Sequence, residues 1–263
     1  MTRSLFPPGP FPIVAEGEDW IVVDKPAGIA VHPSKPNGRL TLWDGLREIL
    51  AYELVNGGQV SIVNRLDRET SGLTLVAKTR AAARLFCRQM EARCVHKEYL
   101  ALVWGWPAAE AWEVDAPILR QGLRQPSPIH LRQMVHPDGA LARTRFQVEQ
   151  RLTLATAAGR EFALVRAFPE TGRMHQIRVH LAHSGHAVVG DKLYGPDAGC
   201  YLEFIATGWT AALAARLLLP RHALHSAALA LESPALAWHS PLPPDLAVWA
   251  EKNQTGACSG LKR

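Results

Sequence analysis

The 263-residue sequence predicts an α+β fold with a large mixed or antiparallel sheet and flanking helices. Strand-length apolar runs and helix-period segments are mixed without strict alternation, which argues for such a sheet. No internal repeat or inter-domain linker interrupts them. One catalytic domain is therefore expected over 16–250, between an extended arm at 1–15 and a disordered tail at 251–263.

The prolines up to Pro12 suit an extended arm. In DWIVVDKPAGIAVHPS, Trp20 to Val23 reads as a strand, Pro-Ala-Gly as a turn and the remainder as a second short strand. TLWDGLREILAYEL opens with Thr41 and Asp44 in capping-box spacing, and Leu42, Leu46, Ile49 and Leu50 recur at helical intervals. Strands are expected at Gln59 to Val63 and Leu73 to Ala77. TRAAARLFCRQMEAR is a helix starting after Thr79, with a basic outer face, and KEYLALVWG is a strand. From Trp106 to Gly159 the chain turns polar with few clear periods, although strands fit Arg143 to Glu149 and Glu161 to Phe168. GRMHQIRVHLAHSG reads as a helix closed by Gly185, WTAALAARLLL as a last helix and LHSAALAL as a last strand.

Composition narrows the function classes. Hydrophobic residues are 48% and charged residues 20%, as in a folded globular protein. No apolar run is long enough to cross a membrane, and the proline-broken N-terminal segment reads as no secretion signal, so a cytoplasmic protein is expected. Cys87, Cys94, Cys200 and Cys258 show no CxxC spacing, consistent with free thiols in a reducing compartment. The net charge of +5 and the excess of Arg over Lys, 22 to 7, suit an anionic partner such as nucleic acid. A GC-rich genome gives the same arginine excess.

Between two buried-looking strands lies VNRLDRETSG, which crowds Arg65, Asp67, Arg68 and Glu69 into one loop. The loop is either a structural ion pair of Asp67 with Arg65 or Arg68, or a carboxylate held at a cleft among phosphate-binding arginines. His175, His180, His183 and His186 invite a zinc reading, but the first pair is five apart and Gly185 interrupts the last. No metal is expected. Arg173 and Arg178 face a polyanion or a buried acid, and Tyr99 lies among apolar residues in a strand. No GxGxxG or GxxxxGK[ST] loop occurs, so no nucleotide cofactor is expected. Two further classes fit a loop carboxylate: a nucleoside hydrolase or glycosidase using Asp67 with Glu69, and a non-catalytic RNA-binding module.

VVDKPAGIAVHPS, VNRLDRETSGLTLVAKT, KEYLALVWG, TGRMHQIRVHLAHSGHAVVGDKLYG and RHALHSAAL, in this order, resemble the RluA-type family of RNA pseudouridine synthases. These stretches span roughly Ile21 to Leu231. The resemblance implies the family's pseudouridine synthase fold, a mixed sheet with a central RNA-binding cleft. It implies isomerisation of uridine to pseudouridine in a ribosomal or transfer RNA stem-loop, by a monomer, with no cofactor, metal or membrane. By motif match Asp67 is the catalytic aspartate, Tyr99 the ring that stacks on the uracil, and Arg178 the base pairing with Asp67. Arg65 fills the space left when the uridine flips out, and Arg68, Asn64, Arg173 and His175 complete the RNA-contacting set. Asn64 stands where the family usually has His. Too few residues precede DKPAG to hold the S4 RNA-binding domain of some relatives. The polar segment Gly122 to Arg143 is the expected seat of substrate choice.

Overall fold

The structure, a computed structural model, describes residues 11–33, 40–154 and 160–253. Most of the expected arm and tail lies outside these. In chain order come β1 (Ile13–Glu16), β2 (Trp20–Lys25), α1 (Leu42–Ile49), α2 (Ala51–Val55), β3 (Ser61–Ile62), β4 (Ser71–Ala77) and α3 (Arg80–Glu91). Six strands follow: β5 (Val95–Trp104), β6 (Ala111–Asp115), β7 (Ile118–Arg120), β8 (Gln133–Val135), β9 (Arg143–Leu154) and β10 (Arg160–Pro169). The remainder is α4 (Gln176–His183), α5 (Gly199–Thr207), α6 (Ala211–Leu217), β11 (Leu224–Leu231), β12 (Leu236–His239) and α7 (Pro244–Lys252). The chain is α+β, with a large mixed sheet and several helices. It forms two compact units, Met1–Lys97 with Ser226–Pro241, and Glu98–His225 with Leu242–Arg263.

In the first unit the strand order is β1-β2-β4-β11, with β3 beside β4 and β12 beside β11. Strand β1, whose residues up to Ala15 lie within the expected arm, pairs antiparallel with β2. Every residue of β4 is buried, because helices cover both of its faces. Leu73, Leu75 and Ala77 share a core with Ala82 and Phe86 of α3. Val76 turns the other way, to a core with Leu42, Leu46 and Leu50. Each large apolar side chain buried here contributes roughly 1.5–3 kcal/mol. The result is a stiff strand on which the charged loop ends.

Both predicted helix caps form. Asp44 N donates to Thr41 Oγ1 (3.3 Å), Thr41 N donates to Asp44 Oδ2 (2.9 Å), and Thr79 Oγ1 accepts from Ala82 N (3.2 Å). The expected single helix through residue 54 breaks at Leu50, which leaves helical geometry (φ −101°, ψ 23°) as its side chain enters the core.

In the second unit the order is β5-β10-β9-β6, every pair antiparallel, with β7 and β8 as a separate hairpin. The polar stretch after Trp106 therefore holds three strands unread from sequence, each of five residues or fewer. Strands so short and so exposed leave little alternation to see. Helix α4 seats Val179 against Ile118, Ile129 and Ala142 of the hairpin region and against Leu193 and Tyr194.

Candidate active site

The charged loop belongs to the first unit, and its geometry starts from Asn64. That residue is buried, and its side-chain amide replaces a rung of the ladder: Nδ2 donates to Leu73 O (3.0 Å) and Oδ1 accepts from Leu75 N (2.8 Å). The main chain is thereby released from pairing one residue after Val63 N, which still donates to Leu75 O (2.8 Å). Only a side chain with a donor and an acceptor at amide spacing can span two ladder groups in this way. The structure gives Asn64, assigned to RNA from sequence, the work of shaping the loop.

Beyond Asn64, Arg65 is exposed, Leu66 is buried as an anchor, Asp67 is half-buried and Arg68 is exposed. Thr70 N donates to Asp67 O (3.1 Å), closing a turn around the two charged residues between them. At Gly72 the φ of 112° is open to glycine, and a Cβ there would collide with the Ser226 main chain.

The DKPAG turn locks onto this loop. Gly28 N donates to Arg68 O (2.8 Å), and Arg68 Nε donates back to Gly28 O (2.9 Å). Lys25, with no exposed surface, places Nζ 2.9 Å from Pro26 O, 3.0 Å from Ile29 O and 3.3 Å from Arg68 O. A buried ammonium is tolerated when carbonyls replace its water, and here they join residues 43 apart in sequence. His32, on the same segment, is held below the usual histidine range by burial and then by the nearby Arg65 guanidinium. Sequence reading missed Lys25 and His32. The signal for Lys25 was an Asp-Lys pair closing an apolar strand just before Pro26.

The remaining predicted residues lie in the second unit. Tyr99 is 8% exposed on β5, opposite Ala167 of β10. Helix α4 begins later than its periodicity suggests, because His175 takes a left-handed conformation (φ 58°). Gln176 explains this start. Its Oε1 accepts from Thr171 Oγ1 (2.7 Å) and Arg173 N (3.0 Å), while Nε2 donates to Arg143 O (2.9 Å) and Thr144 Oγ1 (3.0 Å). Four bonds through one buried amide pin residues 171–176 to β9. Arg173 is exposed and its Nε donates to Leu141 O (3.0 Å).

Arg178 is buried and forked onto Asp191, Nε to Oδ2 at 2.7 Å and Nη2 to Oδ1 at 2.8 Å. Asp191 Oδ1 also accepts from Leu193 N (2.9 Å) and Tyr194 N (3.1 Å). Burial alone would raise the Asp191 pKa, but Arg178 and these donors hold it well below the usual carboxylate range. The Tyr194 ring lies under the same guanidinium, 5.1 Å from its carbon. Asp191 and Tyr194 both stand in the VVGDKLYG segment, whose charged pair between apolar residues was the unread signal.

His180 of α4, and His175 and His186 on either side of it, have partners within the chain. His180 Nε2 donates to Ala116 O (2.9 Å), which leaves Nδ1 to accept from Thr144 Oγ1 (2.9 Å). Its pKa is lowered, mainly by burial, so the ring is neutral. His175 Nδ1 lies 2.8 Å from Tyr194 Oη, and His186 Nδ1 donates to Trp104 O (3.1 Å). Among the described residues no cluster of three or more His, Cys, Asp or Glu is placed to hold a metal.

The structure thus groups Asn64, Arg65, Asp67 and Arg68 on one loop, and Arg173, His175 and Arg178 on or beside one helix start. The first group offers a half-buried carboxylate between exposed guanidiniums, and the second a buried cation of fixed orientation.

A protein-family model described as RNA pseudouridylate synthase matches residues 19–183. The chain is 40% identical over 246 residues to ribosomal large subunit pseudouridine synthase D of Nitrosomonas europaea, covering 90% of this chain and 64% of that protein. It is 36% identical over 237 residues to the protein of the same name from Pseudomonas aeruginosa, covering 89% and 68%. Among solved structures, human RNA pseudouridylate synthase domain containing 1 superposes with a TM-score of 0.67 at 26% identity, over 92% of this chain and 89% of that one.

Proposed function

The chain belongs to the RNA pseudouridylate synthase family, and from that premise we propose that it isomerises uridine to pseudouridine in large-subunit ribosomal RNA. The observation that carries the reading is the loop of Asp67, held from both sides by the Asn64 amide and by Lys25 and Gly28. A carboxylate that must meet one sugar-base bond needs its backbone fixed to within a fraction of an ångström.

The reaction breaks the bond from ribose C1′ to N1, turns the uracil and joins C1′ to C5. The proton lost from C5 is matched by one gained at N1, so no water and no electron carrier is consumed. The target base must first leave its stack, at a cost of a few kcal/mol. Arg65, exposed beside Asp67, offsets part of that by stacking where the base stood. Tyr99 gives the uracil a ring face, worth roughly 1–3 kcal/mol. Arg178 keeps its charge when buried, as the partner role toward Asp67 assigned by motif match requires. Its fork onto Asp191 supports an internal role over contact with RNA phosphate. The names of the relatives above support ribosomal over transfer RNA.

The test is incubation with unmodified large-subunit RNA tritiated at uracil C5. Tritium released to water with RNA mass otherwise unchanged supports isomerisation. Free uracil would instead identify a hydrolase, and binding without either product an RNA-binding module.

A further inference from the structure

A cavity of about 290 Å³ lies in the second unit, between the β7–β8 hairpin and the outer side of α4. Its floor is Val179, Ala182 and Tyr194, and its walls carry Gln121, Gln125, Arg132 and His183. We propose that this cavity takes one unpaired nucleotide of the RNA substrate, distinct from the target uridine, and so helps to choose the RNA. The inference rests on the function proposed above and adds a second point of contact to it.

Three observations point there. The size lies just under the roughly 300–1,000 Å³ of small-molecule sites, which suits one base and not a cofactor. The wall chemistry is that of a nucleotide pocket. Arg132 makes no ion pair among the described residues, whereas Arg124 of the same segment is paired with Asp138. An arginine left without a carboxylate at a cavity mouth suits a phosphate, and the apolar floor with the Tyr194 ring suits a base. Gln121 and Gln125 line the same walls, and their amides carry both a donor and an acceptor for a base edge.

The third observation is connection to the site. Tyr194 Oη accepts from Gln133 N (2.9 Å) on the hairpin and meets His175 at the start of α4, while its ring supports Arg178. The cavity thus shares Tyr194 with the surroundings of Arg178, so a nucleotide seated there binds beside that residue without altering it.

The test compares wild type with Arg132→Ala, Arg132→Lys, Ala182→Trp and Arg132→Ala/Ala182→Trp on unmodified large-subunit RNA. Arg132→Ala removes the phosphate partner and Ala182→Trp fills the base position. Each should raise KM about ten-fold with kcat within about two-fold, and the double variant should be no worse than the poorer single. Arg132→Lys should recover part of the loss. Unchanged KM in both singles, or a loss confined to kcat, overturns the proposal. So does a loss with Arg132→Ala alone, which marks an open phosphate contact and no pocket, or full additivity in the double variant. Thermal unfolding checks that Ala182→Trp folds, and Ala182→Met serves where it does not. Free AMP and UMP should compete only weakly, at millimolar levels; competition at micromolar levels would assign the cavity to a free nucleotide instead. If wild type binds this RNA without forming pseudouridine, the proposed function fails. The same variants must then still weaken Kd about ten-fold for the cavity assignment to stand.

Discussion

Asn64 shows how one side chain decides whether the acidic loop can exist. Its amide satisfies Leu73 O and Leu75 N, two groups of a fully buried strand. Asn64→Ala should leave both unpaired at about 1–3 kcal/mol each, a loss that urea unfolding can measure. Asp191 acts likewise for Arg178. Removing its charge leaves a buried guanidinium half-answered, and Asp191→Asn should destabilise by about 3–5 kcal/mol. The same variant should lower activity without changing the salt slope of RNA binding, since an internal Arg178 releases no counterions. His180 gives a pH signature. Burial lowers its folded pKa below the unfolded value near 6.5, so the unfolded chain takes up the proton first. Stability should be full above that value and fall as pH drops from there towards the folded pKa. In His180→Gln this part of the slope should vanish; an unchanged profile would mean the ring is not held neutral.

At the scale of elements, the loop and the DKPAG turn form one interlocked piece. Lys25→Met should remove about 3 kcal/mol or more, since each hydrogen bond to a charged donor is worth roughly 1.5–3 kcal/mol. It should also speed hydrogen exchange at Gly28 N, whose acceptor is Arg68 O. Unaltered exchange there would show that the turn holds without the lysine. What could be read in advance follows the range of the interaction. The caps at Thr41 and Thr79 join residues three apart, and both were legible. Lys25 with Arg68, and Arg178 with Asp191, join residues 43 and 13 apart, and neither pairing shows in any local pattern. The late start of α4 was hidden for the same reason, since Gln176 reaches across to β9. Helix α5 went unread because Ala198, at its N-cap, supplies no side-chain bond.

Over the whole molecule, part of the arginine excess serves internal ion pairs. Much of it in the second unit answers carboxylates: Arg166 meets Glu98 and Glu149, Arg143 meets Glu113 and Asp115, and Arg216 meets Asp197 and Glu203. The excess of positive charge was therefore a weaker sign of RNA than its count suggested. The loop motif was the stronger one, because together with the QIRVHL helix it matches the family, although its spacing alone fits a structural ion pair equally well. The family and the α+β class were legible from that motif and its companions, while the division into two compact units was not. The chain spans 64% of the length of its Nitrosomonas europaea relative, and the proposed activity is that of the residues present here. The central claim is that Asp67 performs the isomerisation and contributes little to RNA affinity. It is tested most directly by tritium release from uracil C5 with wild type and Asp67→Asn, at RNA concentrations set from each protein's own Kd. The account predicts release by wild type, none above background by Asp67→Asn, and Kd values within a few-fold. Turnover by purified Asp67→Asn at even about a tenth of the wild-type rate, a barrier difference of only about 1.4 kcal/mol, would contradict it.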